Sequence, residues 1–361
     1  MHRFMEPRKT DCSRHCSGTH RTGVITGTFR PAWWLPTSHL QTLWPVLFRP
    51  RPTLNLTSER LELSDGDFLD IAWSHDNAKG PLVLVIHGLE GSIHSHYAAG
   101  LMDQLARNGL RPVFMHFRGC SGEPNRLSRS YHSGDTGDLS MVVDHIEKVA
   151  ERPVRAIIGF SLGGNVLLKW LGEKCARATL QTAIAISVPF RLEDCAQRLE
   201  QGISRLYQWY LLRSLKQGYR AKFSLRPSPL QVDLDRLRTF RAFDDRITAP
   251  LHGFRNVDHY YQESSSIGYL RGINVDTLII HALDDPFMWP STVPLSRELS
   301  PKIRLELSPN GGHVGFVGGR YPWRAEYWLD RRIIGHLADT LTYFPRNERR
   351  GLNPPSPYSQ Q

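Results

Sequence analysis

Ser161 stands between two glycines in Ile157-Ile-Gly159-Phe160-Ser161-Leu162-Gly163-Gly164, a spacing that can do chemistry. On a tight turn from strand to helix, such a serine projects its hydroxyl above a sheet, and only small neighbours permit the turn. The N–H of the following residue, Leu162, points at the same space. A serine hydroxyl is a weak nucleophile at neutral pH, so a histidine must take its proton and an acid must hold that histidine in one tautomer. With 29 glycines in the chain the bare pattern is weak. Its weight depends on finding an acid and then a histidine downstream.

Both occur in that order. The apolar run 277–280 leads into His281-Ala-Leu-Asp284-Asp285-Pro286-Phe287, and the alternating Ile303, Leu305 and Leu307 lead into Pro309-Asn-Gly-Gly312-His313. His313 is the candidate base, with glycines at 311, 312 and 315 marking a tight path beside other backbone. Two carboxylates compete to orient it. Pro286 stiffens the backbone at Asp285 and favours that residue, while Asp284 could cap the turn; Asp284 stays open as the alternative acid. Acyl transfer also needs two N–H donors at the developing oxyanion. Leu162 supplies one, and Leu89, in the turn His87-Gly-Leu-Glu-Gly-Ser92, stands where the second belongs. His87 reads as a loop anchor. His94 and His96 read as solvated or helix-cap residues, since no carboxylate or cysteine cluster completes a metal site with them.

These residues need a scaffold, and the hydrophobic pattern supplies one. Continuous apolar runs at 82–86, 112–116, 154–158, 182–186 and 277–280 predict strands buried on both faces. Between them lie helical patterns: Leu139, Val142, Val143, Ile146 and Val149 on one face after Asp135 and Thr136, 97–107 ending at Asn108-Gly109, and 165–171 after the serine. Alternating strands and helices predict an α/β fold, a mostly parallel central sheet with helices on both faces and right-handed crossovers. Ligands then gather beyond the carboxyl ends of the strands. Arg60-Leu-Glu-Leu63 and Phe68-Leu-Asp-Ile-Ala-Trp73 flank Asp65-Gly66, which predicts an antiparallel pair at the sheet edge. The alternation fails at 190–271, where amphipathic helical stretches predict a cap insertion. The expected organisation is a core of 29–189 and 272–345, a helical cap at 190–271, a basic unstructured tail at 1–28 and a flexible tail at 346–361.

Bulk properties narrow the function classes. A formal charge of +10 over 361 residues favours anionic partners. Nucleic acid is a poor fit, for no zinc module, helix-turn-helix or aromatic-basic strand motif accompanies the charge. No run is apolar and long enough to span a bilayer and the start lacks a signal-peptide core, so a cytoplasmic, soluble protein is expected. Five scattered cysteines suit reduced thiols, and Cys12, His15, Cys16 and His20 match no common zinc spacing. Residues 201–232 contain no acidic side chain, but Arg205, Arg213, Lys216, Arg220, Lys222 and Arg226 alternate with aromatic and aliphatic residues. This stretch could rest on an anionic membrane surface and admit acyl chains.

Taken together, the chain resembles the YheT-like branch of the α/β-hydrolases, bacterial relatives of the animal membrane-associated ABHD lipid hydrolases. The likeness runs from Phe29 to Leu341 through His39-Leu-Gln-Thr42, His87-Gly-Leu-Glu-Gly-Ser92, Met115-His-Phe-Arg-Gly-Cys-Ser-Gly-Glu-Pro-Asn125, Tyr131-His-Ser-Gly134, the Ser161 turn, Asp258-His-Tyr-Tyr261, Asp284-Asp-Pro-Phe287 and Gly311-Gly-His-Val-Gly-Phe316. The resemblance implies a triad of Ser161, Asp285 and His313, hydrolysis of small-molecule carboxylic esters, and no cofactor. It matches the second aspartate. A thioesterase, lactonase or amidase would use the same residues. The animal relatives begin with a membrane anchor, whereas residues 1–28 here are polar and basic, so anchoring is not carried over. The segments 116–122 and 131–132 are family markers expected to pack beside the site.

Overall fold

The computed structural model describes residues 23–75, 79–175 and 179–342. Most of the expected N-terminal tail, the Cys12 to His20 group and the expected tail at 346–361 lie outside the described residues. Among the described residues, nine strands form the main sheet: β1 (Gly23–Thr26), β2 (Leu56–Glu62), β3 (Phe68–Ser74), β4 (Leu82–Ile86), β5 (Arg111–Met115), β6 (Val154–Phe160), β7 (Thr182–Ile186), β8 (Thr277–Ala282) and β9 (Ile303–Ser308). Their order is β1-β9-β8-β7-β6-β4-β5-β3-β2. Every pairing from β1 to β5 is parallel, and the β2–β3 hairpin closes one edge antiparallel. The hairpin turns where Asp65-Gly66 predicts, with Gly66 at φ +84°.

The opposite edge corrects the expected tail boundary. Residues 23–26 form β1 and pair in parallel with Arg304 to Leu307. Four residues with two apolar side chains are too short to show a period, and their partner lies at the far end of the sequence; an edge strand of this kind is specified by its neighbour rather than by itself.

The buried strands send alternate residues to opposite layers. Leu82, Leu84 and Ile86 of β4 face one cluster, and Val83 and Val85 face the other. The first is covered by α3 (Thr136–Ala150) and α4 (Leu162–Trp170), the second by α2 (Ala98–Arg107) and the helix Trp328–Thr340. In α3 the predicted face is buried at Leu139, Val142, Val143 and Ile146, whereas Val149 is exposed in the last turn. Each fully buried aliphatic side chain contributes roughly 1.5–3 kcal/mol relative to exposure, and this double layer is what holds the strand ends rigid beneath the site.

Between β7 and β8 the chain is helical: α5 (Leu192–Leu199), α6 (Ser204–Ser224), then Phe240–Phe243, Val257–Ser264 and a 3₁₀ turn. These pieces bury a cluster of their own that includes Leu192, Leu199, Leu212, Phe240, Phe243 and Tyr260, with Leu89 and Phe287 of the core packed against it. Asn165 fastens them to the sheet. Fully buried in α4, it donates to Ser133 O and Ser264 O at 2.7 Å each and accepts from Ser266 N at 2.9 Å.

A second tie lies in the loop after β5. The Arg118 guanidinium, fully buried, donates to both Asp138 oxygens at 2.7 and 2.6 Å, and to Asp65 and Asp67 at 2.8 and 2.9 Å. Burial alone would pull its pKa down, but the Asp138, Asp67 and Asp65 carboxylates hold it above the ordinary arginine value. Removing one partner from such a buried group costs about 3–5 kcal/mol. The marker segment 116–122 is thereby fixed in place.

Candidate active site

Ser161 occupies the turn between β6 and α4 at φ +50°, ψ −117°. That conformation is strained for a residue with a Cβ, by about 1–3 kcal/mol. Its neighbours show why they are small. A Cβ on Gly159 would lie 2.5 Å from Gly163 O, and one on Gly163 would lie 2.4 Å from His87 O. Ser161 N donates to Ile186 O at 2.8 Å, and Asn165 N donates to Ser161 O at 3.0 Å, so both sides of the bend are held.

His313 sits in the loop after β9, which folds back against α1 (Ser38–Phe48). Gly312 takes φ +62°, and a Cβ there would meet Ser38 O at 2.5 Å; a Cβ on Gly315 would meet Gln41 O at 2.4 Å. The backbone N–H of His313 donates to Thr42 Oγ1 at 2.9 Å, and Val314 N to Ser187 Oγ at 3.1 Å. Gln41 closes the clasp by accepting from Val317 N at 2.7 Å and donating to Val317 O at 3.0 Å. The sequence segment His39-Leu-Gln-Thr42 is therefore the brace of the histidine loop.

The imidazole bridges two groups. Its Nδ1 lies 2.8 Å from Asp285 Oδ2 and its Nε2 lies 3.0 Å from Ser161 Oγ. A carboxylate only accepts, so the proton belongs on Nδ1, and Nε2 is left to receive the serine proton. Asp285 is buried, and its other oxygen accepts from Phe287 N at 2.8 Å. The Phe287 ring stacks on the imidazole with centroids 4.0 Å apart and planes at 3°. Asp284 does not face the imidazole. Its Oδ1 accepts from Gly312 N at 3.0 Å, so it ties the histidine's loop to the β8 loop; burial raises its pKa above the usual carboxylate value.

The two expected N–H donors flank the serine. Leu162 opens α4, and the first N–H groups of a helix have no acceptor within it. Leu89 follows Gly88, where a Cβ would lie 3.1 Å from Ser161 Cβ. Its loop is held by Gly88 N to Tyr97 Oη at 2.8 Å, Gly91 N to Gly88 O at 3.0 Å and Glu90 N to Tyr131 Oη at 2.9 Å. His87 is an anchor: burial pulls its pKa to about 3, and the neutral ring accepts from Phe117 N at 3.0 Å while donating to Gly88 O at 2.6 Å.

Ser161, Leu162, Leu89 and His313 open onto a cavity of about 490 Å³ between the sheet and the helical segment. Leu192, Leu199, Phe240, Phe243, Ile247 and Leu251 give it an apolar wall. A half-buried serine hydroxyl, a histidine within hydrogen-bonding reach of it and an apolar recess in one place suit acyl transfer to or from a hydrocarbon-bearing substrate.

Comparison with known proteins gives this arrangement its family. Residues 81–319 match the family described as the alpha/beta hydrolase fold. The chain belongs to the α/β-hydrolase family. This hydrolase is 43% identical over 309 residues to "Putative esterase YheT" of Escherichia coli (strain K12), covering 84% of this chain and 91% of that one. It is 28% identical over 319 residues to "Phospholipase ABHD3" of Bos taurus, covering 85% and 77% of the two chains. Among solved structures, the Pyrococcus furiosus esterase Pf2001 is similar at a TM-score of 0.53 and 16% identity, covering 81% of this chain and 97% of that one, a likeness of fold. The resemblance to the YheT-like branch is thus borne out. No helix of the described residues is long and apolar enough to cross a membrane.

Three residues of the candidate site have roles that motifs alone do not give. Asn165 had a signal, a polar side chain inside an otherwise apolar helix. Phe287 and Glu90 fall inside the segments 284–287 and 87–92, but their roles are contacts with elements remote in sequence.

Proposed function

We propose that the chain hydrolyses small-molecule carboxylic esters through Ser161, His313 and Asp285. The observation that carries this reading is the continuous hydrogen-bonded chain from Asp285 through His313 to Ser161 Oγ at the floor of an apolar cavity. Ser161 Oγ attacks the ester carbonyl carbon as its proton passes to His313 Nε2. The oxyanion so formed is received by the N–H groups of Leu162 and Leu89. As the tetrahedral centre collapses, the alkoxide leaves with the proton from Nε2, and an acyl-serine remains. Water then attacks it with the same histidine as base, releasing the carboxylic acid and restoring Ser161 Oγ–H. Asp285 holds the tautomer throughout, and the apolar wall takes the acyl chain. The names of the relatives, esterase and phospholipase, accord with this chemistry.

A fluorophosphonate probe tests it. The folded protein should gain one covalent adduct, on the peptide bearing Ser161, and lose ester hydrolysis in step with labelling. An unlabelled Ser161, or full hydrolysis after labelling, contradicts the reading.

Such substrates partition into lipid, and the surface beside the cavity suits that source. Ile203, just before α6, and Leu206 and Tyr210 within it are exposed beside Arg205 and Arg213, and α1, joined to α6 by the bond of His39 Nδ1 to Tyr207 Oη at 3.0 Å, exposes Leu43 and Leu47. Apolar residues fringed by arginine favour the boundary of an anionic bilayer. Co-sedimentation should show binding to vesicles containing phosphatidylserine, weakened by salt as the Debye length shrinks to about 3 Å at 1 M, and none to neutral phosphatidylcholine vesicles. Equal binding to both, or none, removes the lipid contact.

A further inference from the structure

The cavity has a second wall of different chemistry. Opposed in character to the apolar side chains of α5 and 240–251, it is made by the loop after β5, including Asn125, Ser128 and Ser130, and by the C-terminal half of α6, with Gln217 and Lys222. Lys222 is the unusual member. It is only 6% exposed, yet it lines the cavity. Its Nζ donates to Arg129 O at 2.8 Å, and no carboxylate of the described residues lies within 4.0 Å of it. An ammonium has three donors. A carbonyl uses one and leaves the charge unpaired, which is costly to bury.

The charges around it do not supply a partner. Asp67, the carboxylate whose charge acts on it, is committed to Arg118 at 2.9 Å and to Arg126 N at 2.7 Å, with Asn125 on the same carboxylate. Glu90, also on the cavity wall, accepts from Tyr131 Oη and Ser214 Oγ, each at 2.8 Å. Arg118 and Arg226 add positive charge on the same side, and the Arg226 guanidinium donates to Asn125 O at 2.7 Å. Burial pulls the Lys222 ammonium down to about 8, with Asp67 acting in the opposite sense, so it remains mostly protonated at neutral pH. A buried cation kept without a counter-ion at the wall of a substrate cavity is an arrangement that a bound anion completes.

We propose that Lys222 forms a subsite for a negatively charged group, phosphate or carboxylate, carried by the ester substrate while its carbonyl lies at Ser161. The proposal rests on the hydrolase reading and deepens it. The apolar wall receives the hydrocarbon part, the serine floor the ester, and the Lys222 wall the charge, so the preferred esters are anionic amphiphiles. Lys222 acts on the affinity for the charged ester and leaves the chemistry at the carbonyl to Ser161 and His313.

Two matched pairs of esters locate the charge. p-Nitrophenyl hexanoate against p-nitrophenyl hydrogen adipate places a carboxylate at the end of the acyl chain; 1-hexanoylglycerol against its 3-phosphate places a phosphate on the alcohol. In at least one pair the wild type should prefer the charged ester by about tenfold or more in kcat/KM, as a hydrogen bond to a charged group provides. Lys222→Met should abolish that preference, mainly through KM, while the neutral ester keeps its rate; Lys222→Arg should restore most of it. Lys222→Gln, which retains a donor for Arg129 O, guards against misfolding of the methionine variant and should also lose the preference. No preference in either pair, or an equal fall for charged and neutral esters in both neutral variants, overturns the subsite. Calorimetry with hexyl phosphate and hexanol separates this from the hydrolase reading. Phosphate-dependent binding lost in Lys222→Gln supports the subsite even if no ester is cleaved, and esters cleaved without charge preference or phosphate binding overturn the subsite alone.

Discussion

Ser161→Ala is expected to lower kcat for every ester the protein cleaves by about a million-fold, the loss typical when the nucleophile is removed from a serine–histidine pair. Among the described residues the side chain has one polar partner, His313 Nε2 at 3.0 Å, so its loss frees only that nitrogen, on a ring that lines the cavity. Alanine carries the same Cβ as serine at φ +50°, and the bend is still held by the bonds to Ile186 O and from Asn165 N. Fold and stability should therefore be unchanged by circular dichroism and thermal melting. KM should move little, because the apolar cavity is untouched. A residual rate of about 10³–10⁴ over water is expected to survive from positioning and from the N–H groups of Leu89 and Leu162. The measurement is steady-state hydrolysis of p-nitrophenyl esters over rising acyl length. Equal rates for the variant and the wild type would refute the mechanism.

What the sequence made legible was local. The runs of buried strands, the Asp65-Gly66 hairpin and the helix face at Leu139, Val142, Val143 and Ile146 each declare themselves within a dozen residues, and the structure builds the parallel sheet they imply. The turn at Ser161 was legible for the same reason: Gly159 and Gly163 approach backbone that no side chain could meet. Where a residue's role is set across the fold, the sequence was mute. β1 gains its identity only from β9, and Lys222 from the absence, among the described residues, of a carboxylate within 4.0 Å. Asp284 and Asp285 were an intermediate case. Their types and spacing announced a carboxylate near His313, but adjacent residues in a loop point apart, and composition carries no information about direction.

The paired variants Asp285→Asn and Asp284→Asn turn that direction into a rate. In Asp285→Asn the amide replaces an acceptor next to Nδ1 with a group that can donate. With Oδ1 still taken by Phe287 N, the amide N–H faces His313 Nδ1 and favours the tautomer protonated on Nε2. That nitrogen then meets the Ser161 hydroxyl as a donor and cannot accept its proton. A fall of about 10⁴ in kcat is expected, as for loss of the orienting carboxylate in serine hydrolases generally, with the fold intact because asparagine fills the same space. In Asp284→Asn the side-chain oxygen can still accept from Gly312 N, now as a neutral acceptor at the same position. The histidine loop keeps its other braces at Thr42, Gln41 and Ser187, so the loss should stay within about tenfold, the order of one neutral hydrogen bond. Raising the pH should recover part of the Asp285→Asn rate, since hydroxide can do the work of the missing base, and should leave Asp284→Asn parallel to the wild type. If Asp284→Asn were the slower of the two, the acid would be Asp284, and the bond between Asp285 and His313 would be a structural tie rather than the source of the serine's reactivity.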